Sequence, residues 1–572
     1  MKLTVSLQKP IDYSDMFKSS RRKFLGQLSV ITAAITLPKF ASSSGQAEDE
    51  FVLAEAAEGK LRGIRKDGVC LFKGVPYAGR LSGDRRFKRP AKLEPWQGVR
   101  DALEFGPPAI QGDTFNPSSR EDCLFLNIWT PANDGKNRPV MVYNHGGGFA
   151  NGSGAAPGQD GTNLAKLFDV VVVETNHRLG LMAFLYLEDI AGPEYTGSGN
   201  NGLLDIVDGL KWVKKNIAAF GGDPKNVMIF GESGGGAKTS CLYAMPAAAP
   251  YFNKASIESG PGLRMLPKEA AAEMTKLVFK ELNIDLKDWK KILDVPVKDL
   301  IDVQNKIPRL MANSDYIRKH GVVGFVPNNF APVVDGIALP HDPFDPFAPQ
   351  ISKDKPLMTG WNEDEWAFFA MYSHDVSALK SDFTFEALQV KFEPEFGADT
   401  KKIIETYRRT RPNASASDIW MAVKSINMMG LGTIAIAERK AEQHSAPVYL
   451  YNFGYKSEAK VPDTDYPFGT PHAMDITFKF NNEVPGAKPG FLSGNKPERF
   501  VASHHMAELW TTFARTGKPA AKDVPEWPAY NLNDRPTMRI DTNCEVIYDR
   551  YKEELAMWRS IGRIGYHSLN SR

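Results

Sequence analysis

The feature that most constrains this 572-residue chain is a set of three short apolar runs, each unbroken until a polar residue or glycine stops it. Val140-Met141-Val142-Tyr143 stops at Asn144 and the glycines Gly146, Gly147 and Gly148. Val170-Val171-Val172-Val173 stops at Glu174 and Asn176, and Val227-Met228-Ile229-Phe230 stops at Gly231. A strand with one wet face alternates apolar and polar residues; these runs do not, so they suit parallel strands covered on both faces. Between the second and third, Leu203, Ile206, Leu210 and Val213 recur at helical spacing within 201–217. Strand, helix, strand in that order predicts an α/β fold with a large, mostly parallel central sheet flanked by helices. Segments 69–77 and 124–129, apolar or β-branched and bounded by glycine and proline, read as strands near the start of that sheet. Lys- and Glu-rich stretches over 268–335 and 376–446 carry 3.6-residue apolar spacing and predict helical insertions outside the sheet that shape a cleft. No repeat and no long low-complexity linker divides the chain, so residues 48–572 read as one domain.

Residues 1–47 have a different character. Ser20-Arg21-Arg22-Lys23-Phe24-Leu25 precedes an apolar run over 26–37 interrupted by Gln27, Ser29, Thr32 and Thr36, then Ser42-Ser43-Ser44 and the small-x-small Gly45-Gln46-Ala47. Paired arginines before such a run resemble a twin-arginine export signal. The run is well short of the roughly 20 apolar residues a spanning helix needs, so it predicts no stable membrane anchor. The expected mature chain starts near Glu48 and works in the periplasm or outside the cell.

Composition narrows the partner. Lys+Arg 70 against Asp+Glu 68 leaves a net charge of +2 with no basic stripe, which gives no electrostatic footprint for a nucleic acid and favours a small molecule. The four cysteines, Cys70, Cys123, Cys241 and Cys544, are too few for a disulfide scaffold, and none is spaced CxxC for zinc or redox chemistry. Metal and thiol chemistry are not expected.

Directly after the third apolar run comes Gly231-Glu232-Ser233-Gly234-Gly235, a G-x-S-x-G at a strand-to-helix junction. Such a turn holds a serine Oγ above the sheet, near a helix N-terminus that favours developing negative charge, and its tight backbone needs small neighbours. Ser233 is the expected nucleophile. Acyl transfer also needs donors aimed at an oxyanion. Gly147 and Gly148, in His145-Gly146-Gly147-Gly148-Phe149, can supply two N–H groups, joined by that of Gly234. A neutral serine further requires a histidine to take its proton and a carboxylate to orient that histidine. Of the ten histidines, His472 lies in the loop-like Phe468-Gly469-Thr470-Pro471-His472-Ala473, late in the chain as the order Ser, acid, His requires. The acid falls in Trp361-Asn362-Glu363-Asp364-Glu365-Trp366, where the pattern leaves Glu363, Asp364 and Glu365 open.

Taken together, these residues resemble the type-B carboxylesterase family, which includes bacterial para-nitrobenzyl esterases and the cholinesterases, over roughly residues 51 to 560. Phe220-Gly221-Gly222-Asp223-Pro224 with 227–235 matches the family's serine signature, and Glu121-Asp122-Cys123-Leu124-Phe125-Leu126-Asn127-Ile128 matches its second. The resemblance implies an α/β-hydrolase fold, a serine carboxylesterase acting through an acyl-enzyme without cofactor, Glu365 as the acid with Asp364 the second choice, and His472 as the base. Three departures stand out. The stretch 106–110 has no cysteine where Cys123 would find the family's disulfide partner, Trp366 follows Glu365 where glycine is common, and Gly234 follows Ser233 where alanine is usual.

Phe149, Glu232 and Trp366 are the candidate substrate-binding residues, with Trp361, Phe368 and Phe369 nearby. Phe115 stands where a cholinesterase places the tryptophan that meets a cationic substrate. The competing readings are acyl transfer or amide hydrolysis on the same three residues, and a non-catalytic binding protein of neuroligin type, against which the intact Ser233, Glu365 and His472 argue. The sequence does not define the ester or the oligomeric state.

Overall fold

The computed structural model describes residues 50–112, 116–320, 328–373, 376–488 and 490–563. The segment read as an export signal and Phe115 lie outside the described residues.

Thirteen strands form one twisted sheet. In chain order they are β1 (Glu50–Ala56), β2 (Gly59–Lys66), β3 (Val69–Pro76), β4 (Val99–Asp101), β5 (Phe125–Thr130), β6 (Arg138–Asn144), β7 (Val171–Thr175), β8 (Gly222–Glu232), β9 (Lys254–Glu258), β10 (Leu357–Asn362), β11 (Val448–Phe453), β12 (Pro536–Ile540) and β13 (Glu545–Tyr548). The order across the sheet is β1-β2-β3-β5-β7-β6-β8-β9-β10-β11-β12-β13, with β4 on β2. From β7 to β12 every neighbour is parallel. The strands from β1 to β5 and the final β13 add on in antiparallel fashion, β4 excepted.

The three apolar runs lie side by side as β7, β6 and β8, with Val142 between Val173 and Ile229. They are apolar throughout because both faces are covered. Val140, Val142, Val173 and Ile229 pack with Leu203, Ile206, Leu210 and Val213 of helix α1 (Asn201–Asn216) and with helix α2 (Gly234–Ala244). Helix α3 (Trp366–Ser373) follows β10 after a tight turn. On the opposite face Met141, Tyr143, Met228 and Phe230 meet Met506, Leu509, Trp510 and Phe513 of helix α4 (Glu498–Thr516).

Helices Lys268–Glu281 and Val297–Ala312 fill the first inserted region, and Phe385–Phe396, Thr400–Thr410 and Ala416–Ser425 the second. The last of these continues through a π-helical turn, Ile426–Gly430, into Leu431–Ala441. The composite helix is long and apolar enough to cross a membrane, but 78% of its apolar window is buried inside the protein, which makes it a core helix. Helix α3 was not anticipated by the sequence pattern; its Trp-Ala-Phe-Phe-Ala-Met-Tyr-Ser composition is too uniformly apolar to show a helical stripe. Cys70, Cys123 and Cys241 are buried free thiols, and Cys544 is half-buried and free.

Candidate active site

In a parallel sheet the residues beyond the carboxyl ends of the strands share one rim, and a crevice there is where ligands bind. The chain turns into Gly146-Gly147-Gly148 after β6, Ser233 after β8, Ser259 after β9 and Glu365 after β10, four strands adjacent in the sheet. His472 arrives from the long connection that follows β11.

Ser233 has φ 59° and ψ −125°, a left-handed φ unusual for a side-chain-bearing residue. Its N–H donates to Glu258 O at 2.9 Å. Gly235 must be glycine, since a Cβ there would stand 1.9 Å from Asn144 O. The turn aims Ser233 Oγ at His472 Nε2, 2.8 Å away, and His472 Nδ1 lies 2.6 Å from Glu365 Oε2. The other carboxylate oxygen of Glu365 accepts from Ser259 Oγ at 2.5 Å and from the Asn362 N–H at 2.8 Å. Glu365 is fully buried and His472 nearly so, while Ser233 keeps partial exposure.

The other two carboxylates of the cluster face elsewhere. Glu363 is caged by Lys456, Arg539 and Arg550. Burial alone would raise its pKa, but these cations hold it well below the usual carboxylate range. Asp364 accepts from the Thr470 N–H at 2.8 Å and from Lys456 at 2.5 Å, so it fastens the loop that carries His472. Of these three consecutive carboxylates, Glu365 is the one that meets the imidazole.

Glu232 is buried with Oε1 3.3 Å from His472 Nε2. Burial pushes its carboxyl well above the ordinary glutamate value, tempered by the imidazole. Burial opposes charge on His472, but Glu232 and Glu365 outweigh it and raise the imidazole above its ordinary 6.5. The oxyanion candidates lie beside this chain. Gly147 and Gly148 have φ of 85° and 61°, and Gly148 lies directly against Gly234 at the start of α2. A Cβ on Gly234 would stand 2.1 Å from Gly148 O and 2.4 Å from its Cα.

Comparison with known proteins assigns this arrangement to a family. The carboxylesterase family profile matches residues 49–558. The para-nitrobenzyl esterase of Bacillus subtilis (strain 168) is 34% identical over 503 residues, spanning 87% of this chain and 96% of that protein. This chain belongs to the carboxylesterase family. The phenmedipham hydrolase of Pseudarthrobacter oxydans is 31% identical over 87% of this chain and 97% of its own length. Among solved structures, the Geobacillus stearothermophilus carboxylesterase EST55 at pH 6.2 superposes with a TM-score of 0.74 at 35% identity, covering 88% of this chain and 99% of that one. The fold is therefore an α/β-hydrolase, and the protein is a carboxylic ester hydrolase acting on small-molecule esters.

The esterase's residues named for substrate contact divide sharply. Phe368 and Phe369 on α3 are partly exposed, with ring centroids 5.7 and 4.8 Å from that of His472. Trp366 is turned away. Nearly buried, it stacks edge-on against Trp420 with the Lys424 ammonium 4.2 Å over its ring, so it joins the inserted helices and does not wall the cleft. Trp366 and Phe369, three apart on α3, touch at a centroid distance of 5.8 Å, and from that shared side Phe369 reaches His472 while Trp366 reaches Trp420. Phe149 is also buried and packs on Phe184, behind the glycine loop.

Sequence reasoning missed Ser259, at φ 44° the partner of Glu365, whose only signal was its place just past a strand end. It also missed Lys479, fully buried between Glu258 and Asp475. Asp475 accepts in turn from Asn362 Nδ2, which also donates to Pro471 O. This buried ion cluster ties the ends of β9 and β10 to the connection after β11, behind the rim that carries Ser233 and His472.

Proposed function

We propose that this esterase cleaves carboxylic esters through an acyl-enzyme on Ser233, with His472 as general base and acid and Glu365 as its orienting carboxylate. The observation that carries the assignment is the unbroken chain from Ser233 Oγ through His472 to Glu365, at 2.8 and 2.6 Å. Ser233 Oγ attacks the ester carbonyl as its proton passes to His472 Nε2. Glu365, its second oxygen occupied by Ser259 and Asn362, holds Nδ1–H and stabilises the imidazolium. The N–H groups of Gly147, Gly148 and Gly234 receive the oxyanion. Collapse of the tetrahedral intermediate breaks the bond to the alcohol oxygen, which takes the His472 proton and leaves. Water then gives a proton to His472, attacks the acyl carbon, and releases the carboxylic acid and free Ser233.

The half-exposed Phe368 and Phe369 beside His472 favour esters with an aromatic or bulky apolar group flanking the scissile bond. Glu232, a shade further from Nε2 than Ser233, tunes the protonation of His472 and does not contact substrate. The twin-arginine pattern in residues 1–47 supports export of the folded chain. This is tested by fractionating cells producing the full chain and its Arg21→Lys/Arg22→Lys variant; activity that stays outside the cytoplasm in the variant refutes it.

The decisive experiment is stopped-flow hydrolysis of p-nitrophenyl esters of graded acyl length, beside S233A and mass-spectrometric mapping of an organophosphate adduct. A burst, an adduct on Ser233 and no turnover in S233A are expected. An active S233A, or an adduct elsewhere, refutes the assignment.

A further inference from the structure

Five residues past Ser233, on the helix whose N-terminus supports it, α2 carries a lysine in the protein interior. Lys238 has no solvent exposure. Its ammonium makes one hydrogen bond, donated to His145 O at 2.9 Å, and no carboxylate pairs with it among the described residues. The other deeply buried lysines are better satisfied. Lys479 has two carboxylates, Lys440 donates to Ser352 O, Lys353 O and Gln443 Oε1, and Lys254 to Asn226 and Ala514 O. An ammonium with three donors and one protein acceptor, fully buried, destabilises a fold, so Lys238 is an unfavourable element on stability grounds alone.

Its acceptor is what gives it meaning. His145 directly precedes Gly146-Gly147-Gly148, and its carbonyl lies over the first turn of α2, 3.1 Å from where a Cβ of Gly235 would be. The next residue of the helix makes a parallel tie, Thr239 Oγ1 accepting from Asn144 Nδ2 at 3.0 Å. Consecutive side chains of the nucleophile helix thus grip consecutive residues at the root of the glycine loop. The His145 ring is stacked on His177 at 4.4 Å and 16°, and its Nδ1 lies 2.9 Å from Gly146 O. Three successive glycines have no side chains to fix them, and a displacement of about 1 Å at a catalytic donor costs on the order of a hundredfold in rate.

We propose that Lys238 is a positioning residue for ester hydrolysis, holding the His145 carbonyl so that the Gly147 and Gly148 N–H groups stay registered with Ser233. The inference rests on the reading of Ser233 as nucleophile. Burial lowers the Lys238 pKa to about 7, and either protonation state keeps an N–H for the carbonyl, so the tie persists across the neutral range.

The test compares wild type with K238M, which keeps the bulk and removes the donor, and K238Q, which keeps a shorter, neutral donor. Steady-state kinetics on a p-nitrophenyl ester, the rate and stoichiometry of organophosphate labelling, and thermal melting are measured on each. For K238M the expected result is kcat lowered at least about tenfold, KM unchanged within about twofold, and labelling slowed in step but still complete on Ser233. Its melting temperature should match or exceed that of wild type, and K238Q should fall between the two in kcat. Wild-type kcat in K238M overturns the proposal. So does a fall in kcat with a matching fall in melting temperature and no difference between the Met and Gln variants, the pattern of a purely structural residue. Failure of the underlying reading shows separately, as an absent adduct on Ser233 of the wild type.

Discussion

The contact between Gly234 and Gly148 makes G234A a direct probe of the oxyanion site. Alanine is the residue the family resemblance makes usual after the nucleophile, so on sequence grounds the change looks innocuous. In this structure the new methyl carbon would stand 2.1 Å from Gly148 O and 2.4 Å from Gly148 Cα, where ordinary contact begins at 3.4 Å. The glycine loop would have to retreat by about 1.3 Å, and the atoms that must yield are backbone, not the free end of a side chain. A retreat of that size takes an N–H from about 2.9 Å to beyond hydrogen-bonding range of the oxyanion. Losing one such donor costs roughly 2.7–4 kcal/mol of transition-state stabilisation, or about 10²–10³ in kcat. Because the ground-state ester is held mainly by its apolar groups, KM should change far less. Steady-state kinetics on a p-nitrophenyl ester, with a melting curve to show that the variant is folded, gives the answer. A folded G234A with kcat within about threefold of wild type would refute the reasoning and show that the loop relaxes at little cost.

Further outcomes follow from the carboxylates. E365Q should lower kcat by about 10⁴, because an amide cannot stabilise the imidazolium and can favour the wrong tautomer, whereas D364N should cost only about 1 kcal/mol of stability; equal kcat losses would unseat Glu365. Since His472 must be neutral to accept the serine proton, kcat/KM should rise with pH. Burial opposes its charge but Glu232 and Glu365 hold the imidazolium, so the midpoint should lie above 6.5 and move down in E232Q; an unmoved midpoint would show Glu232 to be protonated and without influence. K479M leaves Glu258 and Asp475 buried without their cation and should destabilise the fold by about 3–5 kcal/mol in urea titration, with E258Q/K479M recovering much of the loss. A single variant as stable as wild type would show that those carboxylates take up protons instead.

The parallel core was legible because burial on both faces leaves no alternation: Val142, Val173 and Ile229 are apolar for the same reason they are neighbours. Ser233 was legible because the strained turn after β8 demands small residues at fixed offsets, and Gly235 pressed on Asn144 O shows why. The acid was not legible from pattern. Glu363, Asp364 and Glu365 are consecutive, and what separates them is contact with residues far along the chain: Arg539 and Arg550 for the first, Thr470 for the second, His472 for the third. Trp366 misled for a related reason, since a residue adjacent in sequence to Glu365 is turned by α3 toward Trp420. The least legible residues were the buried ions. Lysine in a helix reads as solvent-facing, and the sequence around Lys238 and Lys479 does not mark either as buried. Each is defined by what other strands bring to it, one a carbonyl at the root of the glycine loop and the other two carboxylates behind the histidine loop. Both lie on segments that follow a residue of the proposed triad, Ser233 and His472. The rim that carries Ser233 and His472 is thus braced from behind by buried lysines whose cost in desolvation falls on the fold and whose effect falls on the placement of the proposed reacting groups.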